Sequence, residues 1–390
     1  MAKNTAKLQK LMTDFADRTG LTASDHAPKR YLWTDAFAVC NFLELFQQTG
    51  EKKYRQNALA LIDQVHSVLG KHRDDGSSSG WISGLSEEEG NKHPTIGGLR
   101  IGKKLNERSF GETHNERLEW DQDGQYFHYL TKWMHALNQV GQITGKMHYN
   151  RWALELAKTA HARFTYAAPS SRKKRMYWKM SIDLSRPLVF SMGQHDALDA
   201  LITYLQLTVT TADNPEKPPE LNLDKEITEA MTMCESTNWA TDDPLGIGGL
   251  LTNACKLTQL IILSNLPPAN MLSDLLRNSK SSLDVFSLAD TLNYPAEYRL
   301  PFRELGLAIA LQAIEKMELM MKEHSEHFSQ QPALTSQLAG FSQHLPLKKK
   351  IELFWLAPEN QKSNTWTDHI DINSVMLATC LGPDSYLLLD

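Results

Sequence analysis

A duplicated helical hairpin is the feature that most constrains the fold of this 390-residue chain. The segment FLELFQQTGEKKYRQNALALIDQVHSVL begins at Phe42, and LNQVGQITGKMHYNRWALELAKTAHARF begins 95 residues later. Within a window of 20 residues the two segments share eight identities, which include the pairs Thr49–Gly50 and Thr144–Gly145. Such similarity predicts repeated helix–turn–helix units, because a glycine after the last turn ends one helix before the next begins.

The same helical spacing extends along most of the chain. Apolar residues recur three and four positions apart, while alternating runs are scarce, which predicts roughly a dozen helices paired into six hairpins. The connections between these hairpins are unequal in length, and this favours a closed ring over an open solenoid with a fixed repeat. We therefore predict an all-α (α/α)6 toroid that forms a single domain over residues 1–390.

One long segment, residues 72–121, lacks helical periodicity and separates the first two predicted hairpins. A connection of this length is uncommon unless it forms a functional lid or a disordered insertion. Its tryptophans and its scattered isoleucines and leucines favour an ordered lid.

Composition argues against several classes of function. The 41 basic and 46 acidic residues are mixed along the chain and give a net charge of −5, so no basic stripe indicates nucleic-acid binding. We find neither the apolar run of a signal peptide nor a window resembling a membrane span, which predicts a soluble, cytoplasmic protein without a membrane partner. The four cysteines are far apart and form no CxxC pair, which predicts buried thiols. The sequence leaves the oligomeric state open.

Polar residues gather where several helices are predicted to begin. In EWDQDGQYFHYLTKWMHAL, Asp121 and Asp123 precede a helix predicted to begin at Gln125, and His128 and Lys132 follow on the same face. Carboxylate, amide, imidazole and aromatic groups together can bind sugar hydroxyls and transfer protons. Capping of the helix by the two aspartates is an equally weighted alternative.

The densest polar cluster lies within residues 183–199. It contains the following chemically useful side chains: Asp183, Arg186, Gln194, His195, Asp196 and Asp199. A carboxyl group in apolar surroundings is kept protonated as an acid, whereas one near an arginine stays ionised as a base. Capping of the next helix by His195 and Asp196 is the alternative.

The tripeptide WTD occurs at Trp33–Asp35 and again directly before His369 and Asp371. Trp33 is a candidate surface for stacking on a sugar ring, and Asp35, His369 and Asp371 are candidate substrate contacts. Capping is again the alternative for the aspartates. If all these helix starts face one cavity, each contributes a short polar cluster to a shared sugar site.

The segment LWTDAFAVCNFLELFQQTGEKKYRQNA, which begins at Leu32, resembles the hairpins of the six-hairpin (α/α)6 glycosidase superfamily. Unsaturated glucuronyl hydrolases are the most similar members, followed by N-acylglucosamine 2-epimerases. In the hydrolases an acid follows a histidine at the start of an inner helix, as Asp196 follows His195 here. A second acid opens another inner segment, a place that Asp183 can fill. The resemblance implies a toroid that acts on carbohydrate.

These observations predict a glycoside hydrolase. Asp183 and Asp196 are the predicted acid and base, and His128 and His195 are predicted to orient sugar or water. If the resemblance to unsaturated glucuronyl hydrolases holds, the reaction is protonation and hydration of a vinyl ether, with one acid/base and a water molecule.

Two alternatives remain open. A sugar epimerase would use His128 with His195 or His369 to remove and return a proton next to a carbonyl. A non-catalytic toroid would bind a ligand or a partner protein, and its acids would have ordinary pKa values. We expect no metal and no cofactor, because neither an HExxH motif nor a complete phosphate-loop motif is found.

Overall fold

The structure is a computed structural model that describes residues 2–22, 27–167, 174–212, 218–235, 237–264 and 269–389. The α-helices, in chain order, are α1 (Ala2–Arg18), α2 (Leu32–Thr49), α3 (Lys52–Leu69), α4 (Glu87–Lys92), α5 (Glu116–Asp121), α6 (Phe127–Thr144), α7 (Met147–Phe164), α8 (Asp196–Thr210), α9 (Asp224–Cys234), α10 (Pro244–Ser264), α11 (Ala269–Leu288), α12 (Pro301–Glu323), α13 (Ala333–Ala339), α14 (Pro346–Leu356), α15 (Asn364–Thr367), α16 (Ile370–Leu381) and α17 (Asp384–Leu387).

Five very short strands accompany the helices in the part of the chain that the structure describes. They are β1 (Gln125–Tyr126), β2 (Thr165–Ala167), β3 (Lys174–Met176), β4 (Lys179–Met180) and β5 (Pro187–Val189). Strands β1, β4 and β5 form an antiparallel sheet in that order, and β2 pairs with β3. The sequence did not predict these strands, because segments of two or three residues are too short to show an alternating pattern.

The all-α fold class is confirmed. Twelve helices among the described residues have 11 or more residues, which matches the predicted number. Helix α10 corrects one prediction, because it is long and apolar enough to cross a membrane. However, 78% of its most apolar window is buried inside the protein, as in a core helix.

The duplicated hairpin is also confirmed. The bounds of α6 and α7 are those of α2 and α3 shifted by 95 residues. The turns between the paired helices contain Gly50 with φ +71° and Gly145 with φ +67°. Glycine is the residue best suited to this left-handed conformation because it has no Cβ.

The helices divide into two compact units. The first contains Ala16–Phe46 and Glu51–Glu235, and the second contains Met1–Phe15, Gln47–Gly50 and Ser236–Leu389. The proposal of one domain for the whole chain stays a prediction.

In the first unit, α6 packs against α7 and α8, and α8 packs against α9. Large side chains such as Trp133, Tyr204 and Phe164 are fully buried there. In the second unit, α12 packs against α10, α14 and α16. A Cβ added to Gly248 of α10 would lie 2.6 Å from the Gly306 carbonyl oxygen of α12, so the missing side chain allows these helices to approach closely.

Much of the long segment 72–121 is fastened to the first unit. Trp81, Leu99 and Ile101 are buried, and the Trp152 indole donates to the Lys92 carbonyl oxygen at 2.8 Å. The part of the segment around Phe110 faces solvent, since the Phe110 residue is 92% exposed. The segment is therefore packed against the helices over part of its length, and its action as a lid stays a prediction.

The prediction for the cysteines is confirmed. Cys40, Cys234, Cys255 and Cys380 are all buried. Burial raises the pKa of Cys234 to about 12, which is typical of an unreactive thiol.

Candidate functional site

Helices α6 and α8 place two pairs of charged or polar side chains side by side. His128 Nδ1 lies 3.7 Å from Asp196 Oδ1, and Lys132 Nζ lies 3.1 Å from Asp199 Oδ2. His128 and Lys132 are one turn apart on α6, and Asp196 and Asp199 are three residues apart on α8. Side chains at these spacings share a helix face, so the facing stripes meet in register. The predicted shared face of His128 and Lys132 is confirmed.

Asp196 is the most unusual group of this cluster. The residue is only 4% exposed, and its Oδ2 atom has no hydrogen-bond partner. Burial raises the pKa of the carboxyl group to about 8, and repulsion by Asp199 adds to the shift. Lys132 and a hydrogen bond from the Gly193 amide oppose it. The carboxyl group therefore carries a proton near neutral pH and can donate it.

The imidazole of His128 shows the opposite behaviour. Desolvation lowers its pKa to about 4, and Lys132 also lowers it, although Asp199 opposes the change. The ring is neutral near pH 7, while 28% of its side chain remains exposed. A neutral imidazole can accept a proton, so an acid and a base face each other across 3.7 Å.

Aromatic rings surround His128. The Trp178 ring lies parallel to the His128 imidazole, at an interplanar angle of 9° and with centroids 6.3 Å apart. The Tyr126 ring also stacks on the imidazole, with centroids 5.4 Å apart. Tyr129 contacts His128 edge-on at 4.8 Å, and its hydroxyl lies 2.7 Å from that of Tyr31. Tyr126 is buried, with its hydroxyl unpartnered. Flat rings beside polar groups are a common surface for binding small ligands.

The second predicted acid lies elsewhere. Asp183 is exposed in the turn between β4 and β5, where it accepts hydrogen bonds from the hydroxyls of Ser181 at 2.6 Å and Ser185 at 2.8 Å. The chain around Asp183 forms a β-hairpin, and the prediction that Asp183 opens an inner segment as the second acid stays a prediction. Arg186 lines the same polar cavity as Asp183. Asp196 is not among the residues that line it.

Two residues of the first WTD tripeptide, Trp33 and Asp35, contact residues that are near them in sequence. Asp35 accepts from the Tyr31 amide at 2.9 Å and pairs with Arg30 at 3.4 Å, while it is 1% exposed. Trp33 is 5% exposed and packs on Phe37 with centroids 4.4 Å apart. These contacts favour the capping alternative for Asp35 and a packing role for Trp33.

The helix start predicted at Gln125 is wrong. Helix α6 begins at Phe127, and Gln125 belongs to β1. Asp121 is exposed at the end of α5. The displacement follows from strand pairing, because Gln125 and Tyr126 bond to β4 and cannot also begin the helix.

Asp123 and Gln125 hold the long segment in place. Asp123 is fully buried and pairs with Arg100 at 2.6 Å. The Gln125 side chain accepts from the Leu99 amide at 2.8 Å and donates to the Ile182 carbonyl at 2.6 Å. Both side chains are therefore structural anchors beneath the candidate site.

The remaining predicted residues occupy helix starts. Gln194 is exposed and His195 half-buried, and His195 is the N-cap residue of α8 without a side-chain capping bond. In the second unit, His369 is the exposed N-cap residue of α16, and Asp371 lies in its first turn.

Sequence reasoning missed the aromatic part of the site. Tyr126 and Tyr129 flank His128 directly, and this clustering was the available signal. Trp178 comes from the residue before β4, so only strand pairing brings it to His128. Among the described residues, no group of three or more His, Cys, Asp or Glu side chains could hold a metal ion.

No family profile matches this sequence, and no curated protein is similar to it in sequence. Similar solved structures include a D-mannose isomerase, at 14% identity and a TM-score of 0.47 over 88% of this chain and 86% of that chain. The GH76A α-1,6-mannanase from Salegentibacter sp. HEL1_6 is 11% identical with a TM-score of 0.47, over 90% of this chain and 99% of that chain. The cellobiose 2-epimerase from Spirochaeta thermophila DSM 6192 is 12% identical with a TM-score of 0.49, over 95% and 97%. Likeness at this level supports no inference about activity.

Proposed function

We propose that this protein is a carbohydrate-active enzyme that hydrolyses glycosidic bonds, with Asp196 as the proton donor. The observation that carries the proposal is the buried Asp196 carboxyl group, whose Oδ2 atom has no hydrogen-bond partner. A buried polar atom without a partner costs free energy, and a substrate oxygen would satisfy it.

The chemistry follows from the opposed pKa shifts of Asp196 and His128. Asp196 gives its proton to the glycosidic oxygen as the bond from that oxygen to the anomeric carbon breaks. Water adds to the anomeric carbon, and its proton passes to the neutral His128. Because the two side chains are 3.7 Å apart, the proton can then return from His128 to Asp196.

The surroundings support a sugar substrate. Trp178 and the exposed part of His128 offer flat surfaces for the apolar face of a pyranose ring. The Lys132–Asp199 pair, at 3.1 Å, can donate to and accept from hydroxyl groups. The raised pKa of Asp196 also differs from the ordinary values expected of a non-catalytic toroid.

Sugar epimerisation is the second candidate, and the neutral His128 favours it. A base of this kind could remove the proton on a carbon next to a carbonyl, and Asp196 could supply a proton to the resulting enolate. Epimerisation requires the two groups on opposite faces of the sugar, and a sugar ring cannot lie between side chains that are 3.7 Å apart, so this candidate ranks below hydrolysis.

The test is mass spectrometry of oligosaccharides, including unsaturated uronides, incubated with the protein in heavy-oxygen water and separately in deuterated water. Hydrolysis predicts shortened products that carry heavy oxygen. These products should be absent with the Asp196→Asn variant and present with the control Asp63→Asn, which changes an exposed aspartate on α3. Deuterium in an uncleaved sugar would replace hydrolysis by epimerisation. Unchanged sugars in both solvents would reject both reactions.

A further inference from the structure

A polar cavity of about 340 Å³ lies where the long segment meets the turn between β4 and β5. Its lining includes Ser77, Asn106, Glu107, Phe110, Asp183 and Arg186. The volume is at the lower end of the range typical of small-ligand sites. None of the residues of the Asp196 cluster lines this cavity.

Phe110 is the first sign of a ligand. The ring is 92% exposed although it lines the cavity. Aromatic side chains that border a concave surface with polar groups are a common part of small-ligand sites.

The charges of two lining arginines are already neutralised by the protein. Arg73 forms a two-pronged pair with Asp75, with N–O distances of 2.7 and 2.8 Å. Arg108 pairs with Glu119 at 3.1 Å and donates to the Leu188 carbonyl at 2.9 Å. These two guanidinium groups therefore form the wall of the cavity and have little capacity to bind an added anion.

The remaining charges do not favour an anionic ligand either. Arg186 donates to the Arg108 carbonyl, and it is balanced in the cavity by Asp183 and Glu107. Partial burial would raise the pKa of Asp183, but hydrogen bonds from Ser181 and Ser185 hold it below its usual range. The net charge of these three groups is at most zero, so a phosphate or carboxylate would gain no attraction.

The lining is suited to hydroxyl groups instead. Carboxylate oxygens accept hydrogen bonds, guanidinium and amide groups donate them, and the serine hydroxyls do both. Glu107 is fixed in orientation, because its Oε2 atom accepts from the Ile182 amide at 2.6 Å. A neutral polyhydroxylated ring with one apolar face would match both these groups and Phe110.

We propose that this cavity binds a neutral pyranose unit, with Phe110 stacked on its apolar face and with Asp183, Glu107 and Arg186 bonded to its hydroxyls. The β4–β5 hairpin connects this site to the Asp196 cluster. At one end of this hairpin the Trp178 amide donates to the Ser191 carbonyl oxygen. At the other end the Ser181 amide donates to the Arg186 carbonyl oxygen. Trp178 and Ser181 are three residues apart, and three residues of extended chain span about 10 Å. One oligosaccharide can therefore reach both the Asp196 cluster and this cavity, which makes the cavity a second attachment point. The proposal deepens the proposed function and rests on it for this connection.

The test is binding of fluorescently labelled full-length protein to an array of neutral, uronate-containing and sulfated oligosaccharides, followed by calorimetric titration of the strongest binder. We compare wild type, Phe110→Ala and the matched control Phe190→Ala, which removes another exposed phenylalanine of the same unit. The expected result is that neutral glycans bind and that Phe110→Ala weakens binding about tenfold or more, as for a stacking anchor. Phe190→Ala should bind as wild type, and Phe110→Tyr should restore binding.

Three results would overturn the inference: equal binding by Phe110→Ala and wild type, equal weakening by both alanine variants, or binding restricted to acidic glycans or to none. Failure of the proposed function is read separately, from the isotope experiment with Asp196→Asn. Phe110-dependent binding without turnover by wild type would support the cavity and reject the hydrolase. Turnover by wild type, together with binding that does not depend on Phe110, would support the hydrolase and reject the cavity as a sugar site.

Discussion

Asp183 and Asp196 belong to one stretch of 17 residues, yet they lie in different environments. Asp183 is exposed, with its pKa lowered by hydrogen bonds from serine groups, although partial burial opposes the shift. Asp196 is buried, with its pKa raised to about 8 by desolvation. The comparison teaches that solvent access and local donors, rather than residue type, decide whether a carboxyl group can act as an acid near pH 7.

The largest expected effect comes from Asp196→Asn. Loss of the proton donor should lower kcat by roughly 10²- to 10⁴-fold, the usual contribution of general acid catalysis. Asp183→Asn should instead raise KM and leave kcat within a few fold, because the neutral amide oxygen accepts a weaker hydrogen bond from a bound sugar than the carboxylate does. Steady-state kinetics on the substrate found by the isotope experiment measures both. Equal losses of kcat would erase the distinction between the two aspartates.

The next effect tests the position of the Asp196 carboxyl group. A Cβ added to Gly193 would lie 2.6 Å from Asp196 Cγ, so Gly193→Ala must displace the acid. A misplacement of about 1 Å can reduce kcat by roughly 10²-fold. Gly249→Ala is the control, because its Cβ would meet no atom within 4 Å. A fully active Gly193→Ala enzyme would show that the carboxyl position is unimportant.

The pH dependence of stability sharpens the comparison further. The native pKa of Asp196, about 8, exceeds the unfolded value of about 3.9, so native protein retains a proton that unfolded chain has lost. The unfolding free energy therefore falls as pH rises through this interval. His128 opposes this below about pH 6.5, because its native pKa of about 4 lies below its unfolded value. Between about pH 6.5 and 8 the titration of Asp196 should lower the free energy of unfolding by about 2 kcal/mol.

Urea unfolding of wild type and Asp196→Asn at both pH values measures this loss. The variant should lack it, while Asp63→Asn should retain it. An identical pH dependence in wild type and Asp196→Asn would contradict the raised pKa.

The smallest effect concerns the aromatic surface. Trp178→Ala removes the ring parallel to His128 and should raise KM about tenfold, comparable to the loss of a binding anchor. Trp120→Ala, in which a half-exposed ring is removed from the edge of Trp178, should change KM less. If the two variants behave alike, Trp178 does not contact the substrate.

Much of the helical framework was predictable. The described residues contain twelve helices of 11 or more residues, as predicted, and α6 and α7 repeat the bounds of α2 and α3 at the predicted displacement of 95 residues. The three-residue and four-residue spacing of apolar side chains repeats over many turns, so the signal is strong. The start of α6 was misplaced by two residues, because β1 takes Gln125 and Tyr126 into a sheet with a distant strand.

By itself the sequence determined the all-α class, the repeated hairpin and the burial of the cysteines, because these depend on periodicity and composition. It also indicated His128 from helical spacing and Asp196 from the polar cluster of residues 183–199. Only the tertiary structure decided that Asp123 and Gln125 are anchors, that Trp178 lies beside His128, and that Asp183 and Asp196 occupy separate places. Contacts between distant segments and exclusion of water set these outcomes, and neither is encoded in local spacing.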